Sequence, residues 1–578
     1  MSILNNLFLL LLFTFSNFLT PFEKSNEKET ATYVEAISYY QNLAIEFDEI
    51  SITEFGKTDI GKPLHLVIIS SSNEFDPQKL KKQNKRIILI NNGIHPGEPE
   101  GIDASMMLAR DLVTKPELKK LLDHVVIGII PIYNIGGSMN RGCCSRANQN
   151  GPVSYGFRGN AKNLDLNRDF IKCDSKNAKA FTQIYHHLDP DIFIDTHTSN
   201  GADYQYVMTY IATQKDKLHP LLADYMTNTL NPAMEKRMKT AGHEMSPYVF
   251  SLKSLPDSGI MAYLETPRYS SGYTTLFNTI SYITETHMLK SFDKRVWATY
   301  HFLKEIISIA DNDYQNIGEI RKHAKEQTKS QKEFTLTWKL DKDQFKEINF
   351  NGYQANYIPS EITGKERLSY DRSKPYTKKI KYYDSYSKSS MIEKPYAYII
   401  PQAWGNVIEL LKLNHIKLYQ IPEDTSLKVD AYYIEDYTTI PYPFEGHYLH
   451  SGTTIRTNTQ TIKFYKGDYY VITNQENNRY IIETLEPGAH DSFFNWNFFD
   501  NILQQKEYFS NYVFEDKALE ILNEDQDLRT NLEKLKQADT SVAKSPYKQL
   551  EYIYKHTDMY ESSHLRYPIY RLTKSVKF

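Results

Sequence analysis

His95 and Glu98 sit three positions apart in Ile-Leu-Ile-Asn-Asn-Gly-Ile-His-Pro-Gly-Glu, so one turn offers two side chains able to hold a metal ion. The apolar run before them reads as a buried strand that Gly93 ends. A His-x-x-Glu pair is common in chains of this length, and it gains meaning only from partners elsewhere in the chain. Far downstream a second apolar run, Asp-Ile-Phe-Ile-Asp-Thr-His, ends in His197. Catalytic zinc commonly takes three protein ligands of the histidine, histidine and carboxylate kind and leaves the fourth position to water. Open α/β sheets place their sites beyond the carboxyl ends of strands, which suits ligands at strand ends. Taken singly, His197 reads equally well as a residue that merely ends a strand.

Between these segments lies Gly-Asn-Ala-Lys-Asn-Leu-Asp-Leu-Asn-Arg-Asp-Phe, residues 159 to 170. A guanidinium presents a planar pair of donors to a carboxylate, and a neighbouring Asn adds another, so Asn167 and Arg168 suit an anionic substrate end. Three ordered motifs, His-Pro-Gly-Glu, Asp-Leu-Asn-Arg and the strand ending in His197, cover roughly residues 35 to 300 and resemble the zinc carboxypeptidases related to carboxypeptidase A. The resemblance implies that His95, Glu98 and His197 bind one zinc ion per chain and that Asn167 and Arg168 hold the terminal carboxylate of the substrate. Asp165 then matches the acid that orients the first zinc histidine, the kind of outer partner that fixes an imidazole tautomer.

Such chemistry needs a general base for the zinc-bound water. Glu265 and Glu285 each follow an apolar run. Glu285 is preferred, because a β-branched run leads into it and residues 268 to 273 upstream look like the family's substrate loop. Glu265 precedes Pro267 and that loop, where a structural or rim role is expected. The developing oxyanion needs positive charge, worth about 3 kcal/mol per donor. Among Arg141, Arg146 and Arg158, the placement of Arg158 nine residues before Asn167 is similar to that in the family's more distant branches, with Arg146 as its rival. Tyr269 and Tyr273 are the candidates for a tyrosine that closes over substrate.

The resulting expectation is a zinc metallocarboxypeptidase that hydrolyses the C-terminal peptide bond of peptides or proteins through a zinc-bound water activated by a glutamate. The alternative keeps the metal and changes the substrate to N-acyl amino acids or cell-wall peptides. A third reading is a non-catalytic binding protein on the same scaffold.

Composition agrees. The 578 residues exceed one ordinary domain, and 40% hydrophobic content with 13% aromatics suffices for large cores. A net charge of -3 with both signs interspersed speaks against a nucleic-acid partner and against a polybasic membrane patch. Residues 1–22 read as a signal peptide or N-terminal anchor, which implies export. No Lys or Arg precedes the apolar run and no Ala-x-Ala site lies after it, so membrane contact through an uncleaved segment is the alternative. The three cysteines, Cys143, Cys144 and Cys173, form no framework; Cys143 or Cys144 bridged to Cys173 is one geometry open to them, and a structural role is expected.

To position these residues, strands are expected to end at Asn91, near Tyr133, at His197, near Ile211 and at Glu285, with helices over 100–113, 176–188 and 292–310 between or after them. That alternation predicts an α/β fold, a mixed, mostly parallel sheet with helices on both faces, spanning 23–310. Residues 311–333 read as a linker helix, 334–490 as a β-rich accessory region and 491–578 as a helix-rich tail. The aromatic cluster Phe493, Phe494, Trp496, Phe498 and Phe499 reads as a buried docking surface.

Overall fold

The computed structural model describes residues 18–576. Eight strands form its central sheet: β1 (Ile50–Lys57), β2 (Pro63–Ile69), β3 (Arg86–Asn91), β4 (Val125–Ile130), β5 (Ile192–Ser199), β6 (Met208–Ala212), β7 (Met245–Pro247) and β9 (Ile280–His287). A short β8 (Ile260–Met261) pairs elsewhere. The strand order across the sheet is β1-β2-β4-β3-β5-β9-β6-β7. Its β4-β3-β5-β9 core is parallel, while β1, β2 and β6 pair antiparallel around it. Every residue of β3, β4 and β5 is buried, as expected where helices cover both faces.

The helices at Glu100–Thr114 and Phe292–Asn312 pack against each other beside the sheet, and Lys176–Leu188 covers β1 and β2. Gly101 lets the first of these approach closely, because a Cβ there would collide with Thr196 of β5. The approach places the turn that carries His95 and Glu98 directly above the ends of β3 and β5. Arg295 is fully buried and pairs with Glu100, while its guanidinium also donates to the carbonyls of Asn150 and Gly151 at 2.9 and 2.7 Å. Glu100 accepts in turn from Thr198 Oγ1 at 2.6 Å, next to His197.

The polar stretch after residue 311 is no free linker. Its helix, Tyr314–Ser330, buries Ile317, Arg321 and Ala324, and Arg321 and Lys325 both bind Asp189, the left-handed residue that ends the helix over 176–188. Beyond it, a long hairpin (Lys346–Pro359 with Glu366–Tyr383) pairs with β8. A six-stranded sheet contains the strands from Ala397–Ile400 to Tyr469–Ile472 and also Tyr570–Leu572. The helical tail therefore returns to the β-rich sheet through a three-residue strand too short to show periodicity. Phe493, Phe494, Trp496 and Phe499 are fully buried.

Two expectations change at the amino end and among the cysteines. Residues 1–17, most of the apolar leader, lie outside the described residues. Phe18 to Phe22 belong to the packed protein instead: Phe22 is in the core, Thr20 and Glu23 form a reciprocal helix cap, and Glu23 pairs with Arg110. Cys143 bonds to its neighbour Cys144, while Cys173 is a buried free thiol behind Phe170 and Thr182. The adjacent pairing supersedes the bridge to Cys173. No helix among the described residues is long and apolar enough to cross a membrane.

Arg295→Met is expected to lower the unfolding free energy by about 3–5 kcal/mol, since it strands the buried Glu100 carboxylate. Chemical denaturation measures this directly; a loss below about 1 kcal/mol would show that the pair does not lock the helices together.

Candidate active site

His95-Pro96-Gly97-Glu98 is a turn, closed by the Glu98 N–H donating to the His95 carbonyl at 2.8 Å, with proline at the position where its fixed φ helps. Gly97 is required because the Arg146 side chain lies across it, 2.7 Å from where a Cβ would sit. His197 comes from β5, and in the parallel register of β5 with β9 it lies directly beside Glu285. Side chains alternate along a strand, so Asp195 with Ile283 forms the next row beneath His197 with Glu285.

The donor atoms of His95, Glu98 and His197 lie within 4.8 Å of one another, and all three residues are buried. His95 Nε2 meets Asp165 Oδ1 at 2.8 Å, which leaves Nδ1 facing Glu98 Oε1 at 3.3 Å with no hydrogen-bond partner. His197 has a like pair of neighbours with the bonding reversed: Nδ1 is hydrogen bonded to Glu98 Oε2 at 3.1 Å, while Nε2 lies 3.2 Å from Asp195 Oδ2 without a hydrogen bond. Each imidazole thus stands between an outer carboxylate and Glu98, with one nitrogen turned inward as in metal-binding histidines. Two histidines and one carboxylate form a donor set suited to zinc with an open position, so the residues fit that ion.

Charge around the trio is dense. Burial alone would raise the Glu98 carboxyl, but Arg146, His95 and His197 hold it well below the ordinary range. Burial would lower His197, but Asp195 and Glu98 raise it well above its usual value. Glu285 is pushed up to about 8 by burial, with the Glu98 charge adding to it against His197, Arg146 and Arg158.

Seven of the expected site residues line one cleft of about 290 Å³, namely His95, Glu98, Arg158, Asn167, Arg168, His197 and Glu285, with Asp165 immediately behind His95. Arg146 lines it too and is the more tightly bound arginine, donating to Glu98 Oε1 at 2.6 Å and to the Thr198 carbonyl at 2.8 Å. Half-exposed Arg158 binds Asp165 Oδ2 at 2.8 Å and approaches Glu98 at 3.5 Å. The Arg168 guanidinium stacks 4.4 Å over the Tyr269 ring and donates to the Asn167 carbonyl at 2.9 Å. Asn167 Oδ1 accepts from the Ser270 N–H at 3.3 Å.

Tyr273 does not belong to this cleft. It is fully buried and hydrogen-bonded to Asn414, because the helix Ser270–Thr275 turns it into the core while Tyr269 stays at the cleft wall. Glu265, expected to have a structural or rim role, is a buried cleft residue, pushed up to about 8 by burial despite nearby Lys217. Tyr248, Tyr263 and Asp195 were not foreseen. For Asp195 a signal existed, since a residue two before His197 on a strand must share its face. A second groove of about 710 Å³ adjoins the cleft through Ile211, Tyr248 and Tyr263 and contains none of the three metal-capable residues.

The loops that carry these residues are braced from the C-terminal region. Asp491 accepts from Arg268 Nε and Nη2 at 2.7 and 2.6 Å and from the Arg268 backbone N–H at 3.0 Å. Glu445 Oε2 accepts from the Asp165 backbone N–H at 2.7 Å.

Residues 36–362, more than half of the chain, match the model of the zinc carboxypeptidase family. Carboxypeptidase 2 of Trichophyton rubrum is 22% identical over 452 residues, which span 75% of this chain and 76% of that protein. Among solved structures, a metallo-carboxypeptidase from Burkholderia cenocepacia is similar at 17% identity and a TM-score of 0.35, covering 48% of this chain and 68% of its own. Carboxypeptidase A from Helicoverpa armigera is similar at 16% identity and a TM-score of 0.35, covering 50% and 74%.

Elemental analysis of the purified protein is expected to find about one zinc per chain, and His95→Ala is expected to lose it. Free zinc at about 100 times its dissociation constant should stabilise the stripped protein by about 2.7 kcal/mol. A stripped protein whose unfolding ignores added zinc would refute the metal assignment.

Proposed function

This chain belongs to the zinc carboxypeptidase family, and on that premise we propose that it removes the C-terminal residue of peptides or proteins, with Glu285 as general base. One observation carries the reading: a single buried cleft holds the converging His95, Glu98 and His197 donors, a carboxylate on the adjacent strand, and the Asn167 and Arg168 pair. A cation site beside a base is the equipment for hydrolysis, and an arginine fork nearby selects substrates that end in a carboxylate.

Arg168 and Asn167 anchor the terminal carboxylate, with Tyr269 fixing the plane of the guanidinium from below. The scissile carbonyl then reaches the trio. Zinc held by His95, Glu98 and His197 would acidify a water molecule and polarise that carbonyl. Glu285 takes a proton from the attacking water and passes it to the leaving amine. Arg158, with Arg146 beside it, supplies positive charge where the oxyanion forms. Asp165 acts through His95, holding its ring, and through Arg158, holding its guanidinium. Export is inferred from the apolar leader and remains part of the proposal.

A panel of peptides with free C-terminal residues, N-acyl amino acids and peptidoglycan stem peptides tests the reading. Release of C-terminal residues from the peptides is expected. Turnover of the other classes alone would shift the assignment to an amidohydrolase, and zinc-loaded protein that hydrolyses none of them would favour a binding role. Glu285→Gln is expected to lower kcat by about 10²- to 10⁴-fold with zinc content unchanged; undiminished turnover would exclude Glu285 as base.

A further inference from the structure

The region beyond residue 440 touches the cleft at two points, and both contacts fall on residues flanking the Asn167, Arg168 and Tyr269 cluster. The first is Asp491. Its carboxylate is fully buried and receives three N–H groups from Arg268, two from the side chain and one from the backbone. The Arg268 guanidinium lies against two aromatic rings of the same region, 5.0 Å from Trp496 and 5.5 Å from Phe444. Arg268 immediately precedes Tyr269, and Ser270, immediately after it, binds Asn167 Oδ1. The ring beneath Arg168 is therefore fixed on one side by Asp491 and on the other by Asn167. The Arg268 carbonyl also accepts from the Phe170 N–H at 3.4 Å, which ties the two loops together.

The second contact is Glu445. Its Oε2 receives the backbone N–H of Asp165 at 2.7 Å, and the same loop sends His447 to Asp174 at 2.7 Å. Asp165 starts the tight turn that presents Asn167 and Arg168, and its Oδ1 accepts from the Asn167 N–H at 2.9 Å.

We propose that the C-terminal region completes the carboxylate-binding subsite: Asp491 and Glu445 are positioning residues that, through Arg268 and Asp165, set the geometry of Tyr269, Asn167 and Arg168. The proposal rests on the carboxypeptidase reading. It gives the β-rich and C-terminal region a part in substrate binding that needs no contact of its own with substrate. The alternative, an ion pair that only adds stability, is a weaker account, since buried pairs often contribute little net stability relative to apolar replacements.

The test is steady-state kinetics of the full-length, zinc-loaded protein on a reporter peptide with a free C-terminal residue, beside thermal unfolding and zinc content. For Asp491→Asn, KM is expected to rise about ten-fold, equivalent to about 1.4 kcal/mol. The expected kcat stays within about three-fold, the mark of lost substrate binding and not of lost chemistry. Inhibition by the free amino acid product should weaken in parallel. A purely structural role predicts instead a smaller folded fraction, which lowers apparent kcat and leaves KM unchanged; that outcome overturns the proposal and leaves the carboxypeptidase reading intact. Wild-type protein that releases no C-terminal residue removes that reading and the proposal with it. Where Asp491→Asn does not fold, Glu445→Gln on the half-buried loop decides: a raised KM at unchanged zinc content supports the proposal, and an unchanged KM overturns it.

Discussion

Two histidine nitrogens and one carboxylate face the same point inside this protein, and a proton or a metal ion must stand there. His95 gives its outer nitrogen to Asp165, and His197 sets its own 3.2 Å from Asp195, so that the inner nitrogens and the Glu98 charge converge. Burying such a group without a cation is costly, because little solvent is left to screen it. The rest of the architecture serves to keep these atoms together. β3 and β5 must be neighbours so that the turn after β3 reaches the end of β5, and Gly101 must be small so that the helix after the turn fits under Thr196. Because β9 runs parallel to β5 in register, Glu285 arrives beside His197 with no loop to place it. The rigid sheet thus fixes Glu285 against one of the three donors, and only the turn has to be positioned separately.

Residues whose roles depend on local spacing were legible in the sequence. The His95 and Glu98 pair needs one turn, Asp165 and Asn167 need one tight helical turn, and His197 and Glu285 lie in β-forming runs, each two residues before the strand ends and not at its end as expected. Residues whose roles depend on loop packing were not. Arg146 and Arg158 lie in segments without periodicity, and the closer contact of Arg146 with Glu98 arises because Gly97 leaves room for it to cross the turn. Tyr269 and Tyr273 differ only in which side of one short helix they occupy, a distinction carried by the core and not by the residue type. The helix over 314–330 looked like a linker because its interior contacts are charged: Arg321 and Lys325 find Asp189, far away in sequence. Cys143 and Cys144 pair with each other, an outcome that neighbours in sequence rarely suggest.

The bracing from the C-terminal region has a general physical cause. A sheet satisfies its own backbone groups, whereas an irregular loop must find partners for them elsewhere. Many of the cleft-lining residues lie on loops and short turns between residues 140 and 175 and between 262 and 279. Holding such loops rigid takes side-chain acceptors, and four acids provide them: Asp169 binds the N–H groups of Asp174 and Ser175 at 2.9 Å, Asp174 binds His447, Glu445 binds Asp165, and Asp491 binds Arg268. Acids placed this near a site for an anionic ligand would repel it unless their charge were cancelled locally. Lys172, fully buried, pairs with both Asp169 and Asp174, and Arg268 pairs with Asp491. Arg168 in contrast has one hydrogen bond to a backbone carbonyl, a ring beneath it, and its nearest carboxylate 3.9 Å away. Among the arginines of the cleft wall it is the one whose charge is least committed to the protein, which is the electrostatic condition for gripping a carboxylate from outside.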